Sequence, residues 1–502
     1  MKSIEKQPVL KLLSLLFKQI SRKNKILILL VSFVALFAAL LETASVALVV
    51  PFLEGFFSNQ TFNKIDVNSF DIGNEFWEII IRSPFTFILI IIIASLSRIF
   101  YYHISSKVTA SIGSDLSIKV FKSVFNVPYS ILAKNESQKI ISGLVVQIDN
   151  VTHVLDCFSR FFSSLLLALI LVIYLSKLSL FATLLLVFIF ITAYSILGFK
   201  SRKNLVGLSN QIATKIEDQI KLLNQIYSMR ASFIIDQSFE KLCEDYSYRD
   251  KIHRNLTART NFLGSYPRPG MEAVSIILII LLFYIFSNRF PSSQALPLLG
   301  SYIYATQRLI PAFQQIYAQW ISINANTYSL IFALNSLSLN YPKVNYYSRR
   351  LLDSLNEIKI KNVSFSYKRN GDNIIEDLNF TFSKGDKVSI VGQSGVGKSS
   401  LLDLITGLRS PTKGCIEYVF SNNRVFKSLP KRKNKIIPIA YMPQNIALIN
   451  ADFYQNIALS EPQKKIDRER VKWAASIASI DQFINNCNDK FYTNPFKEGI
   501  LL

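Results

Sequence analysis

The chain has 502 residues, half of them hydrophobic, a mean hydropathy of +0.28 and a formal net charge of +22. Its 38 Phe and 22 Tyr exclude a disordered or collagen-like chain, and the length suits about two to four domains. The four cysteines, Cys157, Cys243, Cys415 and Cys487, are widely spaced without a CxxC pair, which argues against a disulfide scaffold or zinc module and fits a reduced compartment.

A helix needs ~20 apolar residues to cross a bilayer core of ~30 Å. Six segments read as spans: Ile26–Val50, Pro84–Ile104, Cys157–Leu175, Leu178–Phe199, Ala273–Ser287 and Ala295–Ile323, the last being the most polar. The first is too long for a cleavable signal peptide and lacks a small-residue cleavage site after it. Basic residues set the orientation. Met1–Lys25 holds seven Lys/Arg and one acid, whereas Glu54–Ser83 holds two Lys/Arg and five acids. The N-terminus is therefore expected in the cytoplasm, and six spans return the C-terminal part there. The connections Ser176-Lys177 and Asn288–Gln294 are short. Ser105–Asp156 and Lys200–Glu272 are long, the second with twelve Lys/Arg, and repeat apolar residues at helical spacing, as at Ile220, Leu223 and Ile226–Tyr227. They predict helices extending well past the bilayer, with turns near Asn126–Ser130 and Ser228–Ser232; an independent helical insertion is the alternative. Topology thus accounts for much of the positive charge, and no nucleic-acid partner is expected.

A charge at membrane depth costs about 2.5–3.5 kcal/mol on insertion scales. Glu42, Arg98, Arg308, Gln314, Gln315 and Gln319 accordingly have two readings. Either they line a cavity for a charged or sugar-bearing headgroup, or Arg98 and Arg308 snorkel to an interface while Glu42 pairs with one of them. The histidines, His103, His153 and His253, have no partner at metal-ligand spacing.

After Ser336 hydropathy falls and turn residues gather at Asn340-Tyr341-Pro342 and Tyr346–Arg350. Strands are predicted at Ile358–Ile360, Val363–Tyr367 and Ile374–Phe382, with turns at Lys368–Asp372 and Ser383–Asp386. Lys387–Val391 has a buried-strand pattern and runs into Gly392-Gln393-Ser394-Gly395-Val396-Gly397-Lys398-Ser399, followed by Ser400 and a helical stretch over Lys398–Leu408. This is GxxxxGK[ST] between strand and helix. Glycines let consecutive backbone N–H groups turn toward phosphate oxygens, and the next helix aims its positive end at the same anion. Lys398 can reach the terminal phosphates of ATP, and the Ser399 hydroxyl can ligate Mg²⁺. Tyr367 ends a strand where its ring can stack on a purine. Further on, Ile439–Asn445 reads as a strand entering a loop, and Ile466–Phe483 as an amphipathic helix. The cluster Lys431-Arg432-Lys433 with Lys435 reads as a solvated loop.

With Tyr367, Gly392–Ser399, Tyr441-Met442-Pro443-Gln444, Asn456-Ile457-Ala458, Ile466-Asp467, Arg470-Val471 and Ala474-Ala475 in this order, the chain resembles an ATP-binding-cassette exporter half-transporter along nearly its whole length. The resemblance implies a multi-pass α-helical membrane domain of six spans followed by an α/β P-loop nucleotide-binding domain. Residues 1–25 would be a cytoplasmic segment, 26–335 the membrane domain, 336–354 a linker, and 355–502 the nucleotide-binding part. It implies that Tyr367 stacks on adenine and that Gln444 touches Mg²⁺ and passes nucleotide state to the membrane helices. Within the family, the membrane half is similar to lipid-linked oligosaccharide and polysaccharide flippases at Leu41–Ser45 with Pro51, Pro267-Arg268 with Glu272, Ala295–Leu299, and Arg308, Leu309 and Pro311. That implies a lipid or lipid-linked glycan substrate, membrane lipids around the spans, a homodimer or heterodimer, and a bacterial inner membrane.

In the family a run like Glu498-Gly499-Ile500-Leu501-Leu502 immediately precedes the signature Leu-Ser-Gly-Gly-Gln. No apolar run ending in Asp-Glu follows Gln444, and no histidine follows His253. The resemblance therefore implies the N-terminal portion of such a transporter, truncated, frameshifted or split, with an incomplete nucleotide-binding domain, apolar surface left uncovered, and no hydrolysis. The alternative is a non-hydrolysing membrane protein that binds nucleotide or a partner chain without pumping, or one part of a split transporter whose partner is the missing C-terminal piece.

Overall fold

The computed structural model describes residues 7–57, 84–127, 129, 137–229, 232, 235–236, 239–289, 292–339, 350–351, 354–367, 371–421, 424–427, 435–436, 439–444, 446–459 and 461–497. The chain divides into two units, Met1–Val344 and Asn345–Leu502. The expected loop Glu54–Ser83 beyond Phe57, residues Lys368–Asn370 of the turn Lys368–Asp372, residues Tyr346–Arg349 of the linker, Lys431–Asn434 and Glu498–Leu502 lie outside the described residues.

The first unit is helical. A short helix, α1 (Val9–Gln19), buries Leu12, Leu13 and Leu16 and turns into α2 (Arg22–Ala47) at Ser21. Ser21 caps α2 by accepting from the Asn24 N–H at 3.4 Å. Then follow α3 (Val49–Phe57), α4 (Pro84–Phe125), α5 (Ser137–Ser142), a π turn at Gly143–Gln147 and α6 (Ile148–Leu178). The chain continues with α7 (Leu180–Ser228), α8 (Phe239–Ser265), α9 (Pro267–Arg289), α10 (Ser292–Ala325) and α11 (Thr327–Leu337).

Four stretches among the described residues are long and apolar enough to cross a membrane: Arg22–Leu53, Pro84–Phe125, Lys139–Leu178 and Phe239–Asn288. A shorter apolar stretch, Leu180–Ile196, opens α7, and α10 carries Pro297 and Pro311 within it. At ~1.5 Å per residue, the 42-residue α4 is about 63 Å long, twice a bilayer core. The helical spacing read in Ser105–Asp156 and Lys200–Glu272 is therefore continuous with the spans. Phe85 and Ile196 are 82% and 73% exposed, which suits hydrocarbon rather than water as the surrounding solvent.

Two apolar cores hold the bundle. One joins α1, α2, α4, α6 and α11 around Leu16, Ala35, Ile112, Val151 and Leu330; the other joins α6, α7, α9 and α10 around Leu171, Phe190, Leu282 and Leu309. The predicted connection at Ser176-Lys177 is instead helical, and the break falls at Ser179, which is extended. There the Tyr302 hydroxyl lies 3.2 Å from the Leu175 carbonyl, 3.0 Å from that of Ser179 and 2.9 Å from the Thr183 hydroxyl. A phenol from α10 thus joins the junction of α6 and α7, where the Leu175 and Ser179 carbonyls also accept the Ser179 and Thr183 N–H groups.

The second unit opens on a two-residue strand, β1 (Arg350–Leu351), which pairs in parallel with β6 (Lys435–Ile436), and then builds an antiparallel sheet of four strands in the order β3-β2-β4-β5: β2 (Leu355–Phe365), β3 (Ile375–Ser383), β4 (Lys413–Phe420) and β5 (Val425–Lys427). The predicted strands Ile358–Ile360 and Val363–Tyr367 are one element, β2, with a register shift between Ile360 and Val363 where Asn362 adopts a positive φ. The bulge was read as a boundary because it interrupts the alternation. Helix α12 (Lys398–Ile405) packs Leu404 onto Ile360, Val363, Ile416 and Phe420 of this sheet.

Two predicted strands do not form. Lys387–Val391 and Ile439–Met442 have no ladder partner among the described residues, and Val391 and Met442 are 88% and 81% exposed. An apolar run becomes a buried strand only beside a strand to pair with and under a layer to cover it. The predicted helix Ile466–Phe483 is two helices, α13 (Arg468–Ile477) and α14 (Asp481–Asn485), broken where Ser479 takes φ 57°. Val471, Ala475 and Ile484 close a small separate core with Phe453, Tyr454 and Phe491.

Replacing Tyr302 by Phe removes the phenol while keeping its ring. The expected result is a lower thermal midpoint in detergent, a loss of about 1 kcal/mol, because one buried hydrogen bond is lost while the Leu175 and Ser179 carbonyls keep their backbone donors. An unchanged circular-dichroism melt would show that the end of α6 does not depend on this hydroxyl.

Candidate nucleotide site

The loop Gly392–Ser399 is held from its C-terminal side. Tyr418 of β4 donates its hydroxyl to the Ile405 carbonyl at 2.8 Å, and burial pushes this phenol up, so it stays protonated. With Leu404 in the sheet core, the bond fixes the far end of α12. At the near end, Gly395 and Gly397 take φ 85° and 104°, and a Cβ on Gly397 would lie 2.6 Å from Ile374. Only glycine suits that turn. It leaves the first N–H groups of α12 uncapped by any side chain, with Ser399 exposed beside them.

Lys398 curls back over the loop and donates to the carbonyls of Gly392 and Gln393 at 2.7 and 2.8 Å. The ammonium therefore sits over the loop, where it supplies positive charge to an anion held by the backbone. A triphosphate fits this donor set: uncapped N–H groups, a cation across the mouth, and open space around Gly395.

The Tyr367 hydroxyl is 2.8 Å from the Ser400 hydroxyl in the first turn of α12, so the structure brings the aromatic and the phosphate loop together. The Arg409 guanidinium lies over the Tyr367 ring at 4.7 Å from its centroid and bonds Asp403 at 2.9 Å. Phe365 meets the ring edge-on at 5.2 Å. Tyr367 is still 44% exposed and thus open to a stacking base. Arg409 and Asp403 carry no motif; only an acid six residues before an arginine near a helix C-terminus hinted at the pair. Gln444 is exposed and makes no hydrogen bond among the described residues.

The polar residues of the membrane unit are distributed differently. Arg98 donates to both carboxylate oxygens of Glu42 at 3.0 Å, bringing α2 and α4 together. On α10, Arg308 donates to the Tyr304 hydroxyl at 2.9 Å, and Gln315 accepts from Ser164 of α6 at 2.7 Å.

Residues 375–494 match the family described as ABC transporter. The second unit carries an ABC transporter ATP-binding segment. A multidrug resistance-like ATP-binding protein of Buchnera aphidicola is 24% identical over 478 residues, 92% of this chain and 77% of its own length. A lacticin-481/lactococcin-DR transport/processing ATP-binding protein of Lactococcus lactis is 23% identical over 408 residues, 77% of this chain. A leukotoxin translocation ATP-binding protein of a Pasteurella haemolytica-like species is 30% identical over 162 residues, 32% of this chain and 22% of its own. This chain spans about half (53%) of the Lactococcus protein.

The ATP-binding segment sets a direct test of the loop. Lys398→Ala is expected to weaken binding of a fluorescent ATP analogue by about 10–100-fold, the worth of a charge-assisted hydrogen bond. Unchanged affinity would remove Lys398 from the site.

Proposed function

We propose that this chain is a half-subunit of an ATP-driven exporter that moves an amphipathic substrate, a lipid or lipid-linked glycan, out of the cytoplasmic leaflet. The observation that carries the proposal is one chain joining a bundle of membrane-length helices to a glycine loop with Lys398 over it and Tyr367 beside it. The assembly is a homodimer or a heterodimer, the membrane is the bacterial inner membrane, and the nucleotide-binding part lies in the cytoplasm.

In this reading Gly392–Ser400 and Tyr367 bind Mg·ATP, which supplies the energy of phosphoryl transfer. The backbone N–H groups at the start of α12 hold phosphate oxygens, Lys398 neutralises charge, Ser399 offers a hydroxyl to the metal, and Tyr367 stacks on the base with Arg409 behind it. Gln444 reaches the metal when the loop carrying it closes. On the membrane side, Arg308 and Gln315 of α10 are the residues of the polar set that face a headgroup, and Glu42 and Arg98 hold the wall. The lipid assignment is supported by the flippase-like residues around Glu42, Pro267-Arg268 and Pro297. The names of the similar proteins point instead to peptides, toxins or drugs. Reconstituted in liposomes with its dimer partner, the transporter is expected to raise its ATP turnover with lipid-linked sugars; stimulation only by peptides or planar cations would sink the lipid assignment and leave the exporter standing.

A second reading is a subunit that binds ATP without hydrolysing it by itself. Turnover by the purified chain alone, abolished in Lys398→Ala, would rule it out.

Six spans with both termini in the cytoplasm follow from the contrast of seven against two Lys/Arg in the first two flanks. A cysteine placed within Asn59–Ile72 is expected to react with an impermeant maleimide on intact cells. Reaction only after permeabilisation would reverse the topology.

A further inference from the structure

The first unit contains a cavity of 160 Å³ between α1, α2, α4 and α6 that neither the nucleotide site nor the polar residues of α10 use. An apolar cavity of roughly 150 Å³ stays dry and takes up hydrocarbon such as benzene. Ile28, Ala35, Ile112, Leu155 and Phe158 supply most of this wall. Its hydroxyls are already paired: Tyr101 donates to the Ser159 carbonyl at 2.8 Å, and the Ser105 and Ser159 hydroxyls are 2.8 Å apart. None of the three is among the buried polar atoms left unsatisfied, so the cavity asks for hydrocarbon rather than water. It also reaches outward, for Ala35 is buried while Phe162 is 38% exposed at its rim.

What lies at one end gives the occupant its charge. Lys25, Ile28, Ser32 and Ala35 follow one another at i, i+3, i+7 and i+10 and share a face of α2. Lys25 is thus one turn before the cavity wall, with Arg22 one turn earlier. Both sit in the first turn of α2, where there is no acidic residue and where the helix dipole disfavours cations. Asp115 of α4 accepts from the Asn24 amide at 2.6 Å and the Ser21 hydroxyl at 3.2 Å and keeps its charge, but among the described residues it forms no ion pair with Arg22 or Lys25. An anion placed here would complement the two cations and the helix end together.

We propose that the cavity seats an acyl chain of one anionic phospholipid whose phosphate lies against Arg22 and Lys25. Hydrocarbon-lined space and paired cations then match the two ends of one molecule, at the flank where cytoplasmic-leaflet anionic lipids meet basic residues. The site buttresses the corner between α1 and α2. The proposal rests on the membrane reading of this unit and is independent of what is transported.

The test is native mass spectrometry of the purified chain after exchange into micelles containing phosphatidylglycerol or phosphatidylcholine. The parent is expected to retain one phosphatidylglycerol, preferred over phosphatidylcholine by about tenfold. Ala35→Phe, which fills the cavity, and Ile28→Trp, which narrows it from its partly exposed side, are both expected to lose that lipid. Arg22→Gln with Lys25→Gln is expected to keep a lipid and lose the headgroup preference. Equal retention by the parent and the well-folded Ile28→Trp variant, or no preference in the parent, would overturn the proposal. Release of the chain from membranes by carbonate would overturn the membrane reading instead.

Discussion

A polar group withdrawn from water must find its partner inside the chain, and most of the first unit is arranged around that constraint. The Glu42–Arg98 pair is its centre. Arg98 also lies over the Tyr102 ring at 5.8 Å from the centroid, and Arg160, paired with Asp156, lies near the same ring at 5.5 Å. Two guanidiniums and two carboxylates thus share one aromatic, and α2, α4 and α6 are tied in a single charge-neutral chain. Removing one member would leave a charge in apolar surroundings, which costs far more than the pair contributes. The hydroxyls of Thr43, Thr109, Thr183 and Thr306 follow the same rule on a smaller scale, each bonding the carbonyl four residues back. Exceptions are informative: Ser142, in the last turn before the π segment, and Gln147 at the end of that segment each keep a buried polar atom unpaired.

The second unit meets the constraint from the opposite side. Its antiparallel sheet pairs its strands and anchors α12, so the glycine loop is held where the helix begins. The lead-in, Lys387–Val391, has neither ladder nor cover among the described residues. A phosphate loop held at one end keeps its local turns, which are set by Gly395 and Gly397. The bonds from Lys398 to Gly392 and Gln393 close that gap within the loop. An anion would compete with those two carbonyls for the same ammonium.

The helices of the first unit were legible because periodicity and apolar length are local properties, and α4 and α7 follow their apolar and amphipathic stretches with little deviation. The glycine loop was legible for the same reason: its chemistry is fixed by consecutive residues. What escaped was set by contacts distant in sequence. The bulge at Asn362 and the failure of Lys387–Val391 to form a strand depend on neighbours rather than on pattern. Arg409 behind Tyr367 is 42 positions away from it, and nothing in the spacing couples them. The break at Ser479 escaped because Ile466–Phe483 keeps its amphipathic period across a residue in the left-handed region.

The same distinction bears on how polar residues in spans are read. Glu42, Arg98, Arg308 and Gln315 are all conspicuous in the sequence, because polar and charged residues are rare in apolar stretches of this length. Their roles depend on the donors and acceptors left after internal pairing. The two oxygens of Glu42 both accept from Arg98, which leaves little capacity for a substrate. Gln315 spends its oxygen on Ser164 and keeps its amide donors. Arg308 meets a neutral phenol through one nitrogen, with its guanidinium 5.3 Å from the same ring, so its charge has no carboxylate opposite it among the described residues. An anionic headgroup would therefore find unspent positive charge at Arg308 of α10 and not at Arg98 of α4.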